Sequence, residues 1–239
     1  MEKKLSTKKL KPAVPLPLIF ENEAWIKGQF VIGIDEVGRG CFFGPVVVCA
    51  LMLHKNKTHP LLKDSKILSA EERNEAAQWL KNNSWYSFGI INHALIDSIN
   101  IYQATLLGMK RAYWNLMLHP HVSQFTTTTP VLVDAMPLFL DETIIVHSFI
   151  RGESQSISIA AASIMAKVMR DELMQRLHAQ FPLYAINTNK GYGTAQHAQA
   201  LGNYGPSILH RKTFIQSQFP SFSNEDNSHE TTKQRSLFG

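Results

Sequence analysis

Three acidic residues follow apolar stretches of the chain, at places where strands are expected to end. Asp35 and Glu36 are adjacent and stand between glycines in GIDEVGRG, residues 33–40, and Asp134 closes VLVD, residues 131–134. A carboxylate at the end of a buried strand is costly unless it is neutralised. A helix cap, an arginine partner or a turn would explain one such acid. Three acids at one sheet edge repel one another, and a divalent cation relieves that repulsion.

The type of donor atom indicates which ion and which chemistry to expect. Carboxylate oxygens without histidine or cysteine nearby favour Mg²⁺ or Mn²⁺ over zinc. Two such ions about 4 Å apart clamp the attacking and leaving oxygens of an in-line phosphoryl transfer. The chain has a formal net charge of +5, which modestly favours a polyanionic partner. An acidic metal pocket in a basic protein suits a nuclease.

Apolar patterns predict the elements that position these acids. Short apolar stretches predict five strands, at 29–35, 45–53, 85–91, 131–134 and 143–149. The first two strands are expected to be antiparallel, because the connection between them is short. Helices are predicted at 69–83, 94–118 and 154–181. The first of these begins with Ser69 and Glu72 at capping-box spacing. Strands alternating with helices indicate a mixed α/β layer built on one sheet.

Length and composition predict one sizeable domain with flexible ends. The chain has 239 residues, of which 44% are hydrophobic, as is ordinary for a packed protein. We expect a flexible basic arm at 1–22, a folded domain at 23–219 and a disordered tail at 220–239. Apolar runs fall short of the roughly 20 residues that span a bilayer, and no signal peptide is predicted. Cys41 and Cys49 are interpreted as small core residues in a reducing compartment, so a cytoplasmic protein is expected.

Five sequence blocks, taken in order, resemble the signature blocks of the ribonuclease HII family. They are GIDEVGRG, KDSK at 63–66, LVDAM at 132–136, RGESQSISIAAASIMAKVMRD at 151–171 and KGYGT at 190–194. Any one of them is weak, but five in the family's order are specific, and they span most of residues 29–214. The resemblance implies an RNase H-like fold: a central mixed sheet flanked by helices, with a C-terminal helical extension.

The resemblance also implies an activity and the acids that support it. The family hydrolyses the RNA strand of RNA–DNA hybrids and cuts 5′ of single ribonucleotides embedded in duplex DNA. Its products carry 3′-hydroxyl and 5′-phosphate ends, and its cofactors are two divalent ions, Mn²⁺ or Mg²⁺. The family's metal-binding catalytic acids correspond to Asp35, Glu36, Asp134 and Glu153.

The fourth acid departs from the family pattern. That position is usually Asp, whereas RGE at 151–153 supplies Glu153. The longer side chain is expected to shift metal spacing or preference while activity survives. Asp171 is a competing fourth acid, but it lies four residues after Lys167 on a predicted helix, where an ion pair is the simpler interpretation.

Substrate contacts are implied for two glycine-containing turns and two lysines. In the family, the backbone of the GRG motif lies against the ribonucleotide 2′-hydroxyl, which distinguishes RNA from DNA, and glycine permits that approach. Tyr192 corresponds to the tyrosine that packs on the adjacent deoxyribose and senses the RNA-to-DNA junction; the alternative is a packing tyrosine. Lys66 and Lys190 are expected to contact phosphates, against the alternative of solvated surface lysines. The motif residues are Gly38, Arg39 and Gly40.

Three other functions share some of these features. A ribonuclease HIII-like enzyme would have a GTG-like turn and an extra N-terminal domain, which the roughly 30 residues before Asp35 do not accommodate, although FFGP after the turn is similar to the HIII form. A catalytically impaired adaptor that binds hybrids and the sliding clamp would be expected to have a damaged acid set. A junction resolvase would share the acids but would not need both GRG and GYGT.

The last six residues, QRSLFG at 234–239, resemble the bacterial peptide that binds the sliding clamp. Leu237 and Phe238 would fill an apolar cleft while Gln234 forms a hydrogen bond at its edge, and a flexible tether suits such capture. The alternative is an incidental apolar terminus. The protein is otherwise expected to be a monomer with no membrane association.

Overall fold

The computed structural model describes residues 19–125 and 129–219. Most of the predicted arm and the whole predicted tail lie outside these residues, and so do Gln234, Leu237 and Phe238. Within them, one five-stranded mixed sheet has the strand order β3-β2-β1-β4-β5. The strands are β1 Ile32–Val37, β2 Val46–Leu53, β3 Ser84–Ile91, β4 Val131–Asp134 and β5 Val146–Phe149. The predicted fold class, a mixed sheet flanked by helices with a helical C-terminal part, is confirmed.

Strand β1 lies at the centre of the sheet and brings the acids together. It pairs antiparallel with β2, with Asp35 opposite Cys49, and parallel with β4, with Ile34 opposite Val133. Every residue of β2, VVVCALML, is buried, as its continuous apolar sequence predicts. Because β1 and β4 are parallel neighbours, Asp35 and Asp134 reach the same edge of the sheet.

Helices cover the two faces of this sheet and pack into two apolar layers. They are α1 Ile19–Ile26, α2 Ala70–Asn83, α3 His93–Met117 and α4 Ile157–His178. The capping box of α2 is present as predicted: Ser69 accepts a hydrogen bond from the Glu72 amide, and the Glu72 carboxylate accepts one from the Ser69 amide.

Helix α4 approaches β1 more closely than any side chain would permit. A Cβ atom at Gly33 would lie 2.2 Å from the carbonyl carbon of Ser158, in the first turn of α4. The helix begins after Ser156, whose hydroxyl caps the amides of Ser158 and Ile159. The N-terminus of α4 is therefore fixed directly over the strand that carries Asp35.

Several element ends are shifted by two or three residues from the predicted bounds, and two helices differ more substantially. Helix α3 is not continuous: Asn100 has a positive φ of 65°, and its side chain accepts from the amide of Gln103, which starts the helix again. Helix α1 was not predicted, and it spans the expected boundary at residue 22. Its Glu21 is fully buried and accepts hydrogen bonds from the Ser156 hydroxyl and the Ser158 amide at 2.5 and 3.0 Å.

The C-terminal part consists of short helices around their own apolar cluster, in which Phe43, Met174 and Ile186 are buried. These helices are α5 Ile186–Asn189, α6 Ala195–Tyr204 and α7 Lys212–Gln218. Both cysteines are buried, as expected for core residues. Among the helices that the structure describes, none is long and apolar enough to cross a membrane.

Candidate active site

The four predicted acids are supplied by three separate segments. Asp35 and Glu36 lie near the end of β1, Asp134 is the last residue of β4, and Glu153 lies in a short 3-10 turn, Gly152–Ser154, that leads into α4. Asp35 is only 6% exposed and Glu153 only 5%. The arrangement places ionisable oxygens in a largely desolvated region, which is costly without compensation.

Backbone amides compensate part of this cost. The Glu36 amide donates to Asp35 Oδ1 at 2.7 Å. The Gly152 amide donates to Asp134 Oδ1, also at 2.7 Å, which ties the end of β4 to the turn that carries Glu153. These bonds fix the carboxylates to the backbone, but they leave other oxygen atoms without a donor.

The acids also perturb one another. Burial, and then the neighbouring charge of Glu36, raise the pKa of Asp35 well above its usual value. Burial raises the pKa of Glu36, although its ion pair with Arg39 opposes the shift. Burial and the nearby charge of Glu153 likewise raise the pKa of Asp134, although the hydrogen bond from the Gly152 amide opposes the shift. Repulsion and desolvation therefore act on one cluster, as the sequence predicts.

Two cations partly neutralise the cluster. Arg39 Nη1 lies 3.2 Å from Glu36 Oε1, and Lys66 Nζ lies 2.8 Å from Glu153 Oε1. Burial alone would raise the pKa of Glu153, but its bonds, chiefly from Lys66, hold that pKa below its usual value. Lys66 thus contacts one of the acids, and its side chain remains 76% exposed.

The donor set fits a hard divalent cation, although the side chains are not arranged around one. Glu36 Oε2 and Glu153 Oε2 are both buried and have no hydrogen-bond partner. Such orphaned carboxylate oxygens are suitable ligands for Mg²⁺ or Mn²⁺. As the side chains stand, the described residues contain no group of three or more His, Cys, Asp or Glu that could hold a metal ion.

The GRG turn lies beside the acids and is held by a buried arginine. Arg211 donates to the carbonyls of Gly38 and Arg39, each at 2.7 Å, and to that of Gly44 at 2.9 Å. Gly38 has a positive φ of 89°, and a Cβ atom there would lie 2.2 Å from Arg170 Nε. Glycine is therefore required at this position by the protein's own packing, independently of any substrate.

The KGYGT loop, residues 190–194, packs directly against the segment that follows the GRG turn. Cys41 and Tyr192 form an antiparallel bridge, and the Phe42 amide donates to the Gly191 carbonyl at 2.8 Å. Tyr192 is 39% exposed as a residue, and the Arg170 guanidinium lies 5.8 Å from the centroid of its ring. The two predicted substrate-contact motifs are therefore adjacent in the folded chain.

Arg170 is the second buried arginine, and it joins the KGYGT loop to the end of the GRG segment. It donates to the carbonyls of Lys190, Phe43 and Pro45 at 2.6, 3.1 and 3.2 Å. Lys190 itself is half-buried with a positive φ of 53°. Its carbonyl is thereby fixed, while its predicted phosphate contact stays a prediction.

Sequence reasoning missed both arginines. Arg170 and Arg211 are fully buried, and every acceptor given above for them is a backbone carbonyl, so charge pairing offered no signal. Arg170 could have been noticed as a basic residue in a helix whose preceding residues are mostly small or apolar. The predicted pairing of Asp171 with Lys167 is confirmed at 2.8 Å, so that acid is engaged outside the cluster.

Comparison with known proteins identifies the family. The sequence model described as Ribonuclease HII matches residues 32–219. Ribonuclease HII of Chlamydia abortus is 43% identical over 199 residues, covering 82% of this chain and 89% of that protein. Ribonuclease HII of Staphylococcus epidermidis is 46% identical over 189 residues, covering 79% of this chain and 70% of that protein.

Two solved structures share the fold at low sequence identity. The ribonuclease HII in a complex with PCNA from Archaeoglobus fulgidus gives a TM-score of 0.60 at 21% identity, covering 86% of this chain and 99% of that one. Bst-RNase HIII in complex with Mn²⁺ also gives a TM-score of 0.60 at 21% identity, covering 79% of this chain and 68% of that one.

The five-stranded mixed sheet and the helical C-terminal part define an RNase H-like fold. The chain belongs to the ribonuclease HII family, since the family match covers more than half of its residues and the relatives exceed 40% identity. It is accordingly a ribonuclease H, a hydrolase.

Proposed function

We propose that this ribonuclease H cuts duplex DNA on the 5′ side of single embedded ribonucleotides, and also hydrolyses the RNA strand of RNA–DNA hybrids. The products would carry 3′-hydroxyl and 5′-phosphate ends, and the activity would serve ribonucleotide removal in DNA replication and repair. The observation that carries the proposal is the joint placement of the acid cluster, the GRG turn and the Tyr192 loop. This combination provides a cutting site and a site that distinguishes sugars.

Asp35, Glu36, Asp134 and Glu153 are proposed to hold two divalent ions, Mg²⁺ or Mn²⁺. The buried, unpartnered oxygens of Glu36 and Glu153 support this assignment. When bound, the ions would supply a more acidic attacking water and charge stabilisation at the leaving oxygen. The Mn²⁺ complex of a fold relative, Bst-RNase HIII, is consistent with this donor set.

The protein's own residues orient the cluster and the substrate. Gly152 fixes one oxygen of Asp134, and Lys66 holds Glu153 until a phosphate or an ion competes for one of them. Arg211 fixes the carbonyls of Gly38 and Arg39, so the turn offers a rigid backbone to the 2′-hydroxyl. Such rigid placement of reacting groups accounts for much of the rate that positioning can supply.

A catalytically impaired adaptor is the strongest competing function. The active enzyme and the adaptor differ in whether the acid cluster still works with Glu153 as its fourth acid. Glu153 is close enough to Asp134 to raise the pKa of that acid, so the fourth carboxylate is retained on a side chain one methylene longer. The proposal therefore predicts an active enzyme whose preference between Mn²⁺ and Mg²⁺ changes in Glu153→Asp. An adaptor would bind hybrids and cut neither substrate.

The test uses purified protein and a DNA duplex with one ribonucleotide, incubated with Mg²⁺, with Mn²⁺ or with EDTA. An all-DNA duplex is the substrate control. A metal-dependent cut 5′ of the ribonucleotide, mapped by its 3′-hydroxyl and 5′-phosphate ends, is the expected result. Binding without cutting under either metal would contradict the proposal and favour the adaptor.

A sliding clamp is the proposed protein partner, through Gln234, Leu237 and Phe238. The complex of an archaeal ribonuclease HII with PCNA is consistent with such a partner. Deleting residues 234–239 should abolish clamp binding in a pull-down and leave cleavage of a short oligonucleotide duplex at the full-length rate. Undiminished clamp binding would contradict the assignment. A cytoplasmic monomer is the expected state of the protein, to be checked by fractionation and light scattering.

A further inference from the structure

Two buried histidines next to the KGYGT loop have no part in the proposed chemistry. His197, in the first turn of α6, is fully buried, and His210, which precedes Arg211, is 2% exposed. Their Nε2 atoms lie 3.0 Å apart. The rings of Tyr184 and Phe43 surround His210, with centroids at 4.7 and 5.0 Å. When two buried imidazole nitrogens form a hydrogen bond, one nitrogen must carry a proton and donate, and the other must be unprotonated and accept.

The neighbouring groups fix the tautomers of both rings. The Ser207 amide donates to His210 Nδ1 at 2.8 Å, so that nitrogen carries no proton and His210 Nε2 carries it. His210 Nε2–H therefore donates to His197 Nε2, and the proton of His197 lies on Nδ1. His197 Nδ1 is 3.0 Å from the carbonyl of Tyr192, which is an acceptor only. The three bonds all run in one direction, from Ser207 through both rings to Tyr192.

This relay supplies the Tyr192 carbonyl with its second donor. The other donor is the Thr194 amide at 2.8 Å, and the Thr194 hydroxyl in turn accepts from the amide of His197 at 3.3 Å. The histidines thus join the C-terminal segment at Ser207 to the loop at Tyr192. Two donors therefore fix the carbonyl of Tyr192, and with it the stretch of backbone that carries the ring.

The relay requires both rings to be neutral. Burial lowers the pKa of His210 to about 3, and the nearby His197 and His93 contribute in the same direction. Burial also lowers the pKa of His197, although the Tyr192 carbonyl opposes the shift. Both shifts favour the neutral rings that the hydrogen-bond geometry requires.

We propose that His197 and His210 are positioning residues which, through the carbonyl of Tyr192, set the enzyme's preference for a ribonucleotide followed by DNA over continuous RNA. The inference rests on the proposed role of Tyr192 at the RNA-to-DNA junction. Neither histidine contacts substrate; each acts by holding the loop. The preference is the ratio of kcat/KM for a single-ribonucleotide duplex to kcat/KM for an RNA–DNA hybrid.

The test compares two substitutions of His197, one that removes the donor to the Tyr192 carbonyl and one whose side-chain amide can replace it. His197→Leu fills similar space but cannot donate to Tyr192, and the ratio should fall on the order of tenfold, as expected when a contact group is misplaced. In His197→Asn the side-chain amide can replace the Nδ1–H donor, so most of the ratio should be kept. Equal ratios in Leu and Asn variants would overturn the inference.

Tyr192→Ala separates this inference from the proposed function. If Tyr192→Ala lowers the ratio and His197→Leu does not, the relay is rejected while the role of Tyr192 stands. If Tyr192→Ala leaves the ratio at the wild-type value, the role of Tyr192 is rejected, and the relay with it.

A second measurement applies if His197→Leu does not fold. Nitrogen-15 NMR of the full-length wild-type protein reports which ring nitrogens carry protons. The relay predicts the Nε2–H tautomer for His210 and the Nδ1–H tautomer for His197 at neutral pH. The opposite tautomers, or a protonated ring, would overturn it without any substitution.

Discussion

The acid cluster lies beside two turns held by buried arginines: the GRG turn, residues 38–40, and the KGYGT loop, residues 190–194. We call these the arginine-held turns. Both regions contain buried charge, but only in the turns is that charge matched by hydrogen-bond partners. In the acid cluster, carboxylates repel one another, their pKa values rise at Asp35, Glu36 and Asp134, and oxygens remain unpartnered. In the turns, each buried guanidinium is satisfied by three carbonyls, and burial lowers the pKa of Arg211 only to about 10, so it stays protonated at neutral pH. The first region therefore keeps unpartnered acceptor oxygens, whereas the second has its buried donors bonded to backbone carbonyls.

The largest expected effect is at the centre of the acid cluster. Asp35→Asn keeps the acceptor for the Glu36 amide but removes one charge, and cleavage should fall by about 10³-fold or more because the ion-binding charge is reduced. The matched control is Asp171→Asn, whose acid pairs with Lys167; it should cleave within about twofold of wild type and lose roughly 0.5 kcal/mol of stability. An inactive Asp171→Asn beside an active Asp35→Asn would reverse the assignment.

The next effect concerns stability in the arginine-held turns. Arg211→Met should lower the free energy of unfolding by about 3–5 kcal/mol, because three buried carbonyls lose their donors. Arg211→Lys should recover little, since a lysine cannot reproduce the planar fork. Arg176→Met, at an exposed position of α4, is the control and should change stability by about 0.5 kcal/mol or less. Chemical denaturation measures all three, and a mild effect of Arg211→Met would show that the turns do not depend on it.

The pH dependence of stability should reveal the cost of burying the acid cluster. Burial raises the pKa of folded Asp35, so the folded state holds a proton that the unfolded state releases at lower pH. The cost of this residue is absent below the usual carboxyl range, about pH 4, and it grows as pH rises toward the raised pKa.

Asp35→Asn removes that cost. In EDTA at pH 7 it should be more stable than wild type by about 1–2 kcal/mol, and the difference should vanish near pH 4. Denaturation curves at several pH values measure this. A variant that is less stable than wild type at pH 7 would argue against a repulsive cluster.

The smallest expected effect is at the exposed cation of the cluster. Lys66→Met should change stability by about 0–1 kcal/mol, because the lysine side chain is 76% exposed. It should also let the pKa of Glu153 rise, since the bond from Lys66 lowers it, and so move the acidic limb of the activity profile to higher pH. Lys63→Met, in the same segment, is the control and should leave that limb in place. An unmoved limb in Lys66→Met would show that the contact does not set the charge of Glu153.

The same contrast explains what could be predicted from the sequence. The strands and the acids at their ends follow from local patterns: apolar stretches identify β1, β2 and β4, and the acids end or nearly end two of them. The capping box of α2 is equally local. These features need no knowledge of the rest of the chain.

Most of the features that were missed depend on distant partners; the break in α3 at Asn100 is the local exception. Arg211 donates to Gly38, 173 positions away, and Lys66 pairs with Glu153, 87 positions away. Neither contact has a spacing that a sequence pattern could detect. Helix α1 is held through buried Glu21 at the N-terminus of α4, and the break at Asn100 depends on one side-chain bond. The sequence therefore predicted that acids lie at the ends of β1 and β4, but not the groups that hold the turns beside them.

The most direct test of the central claim is the binding of Mn²⁺ to the substrate-free protein, measured by calorimetry. The claim is the proposal that the acid cluster binds a divalent cation. Wild type and Asp171→Asn should bind Mn²⁺ with equal affinity, and Asp35→Asn should bind at least about tenfold more weakly, since each tenfold loss corresponds to about 1.4 kcal/mol. Equal binding by wild type and Asp35→Asn would contradict the claim.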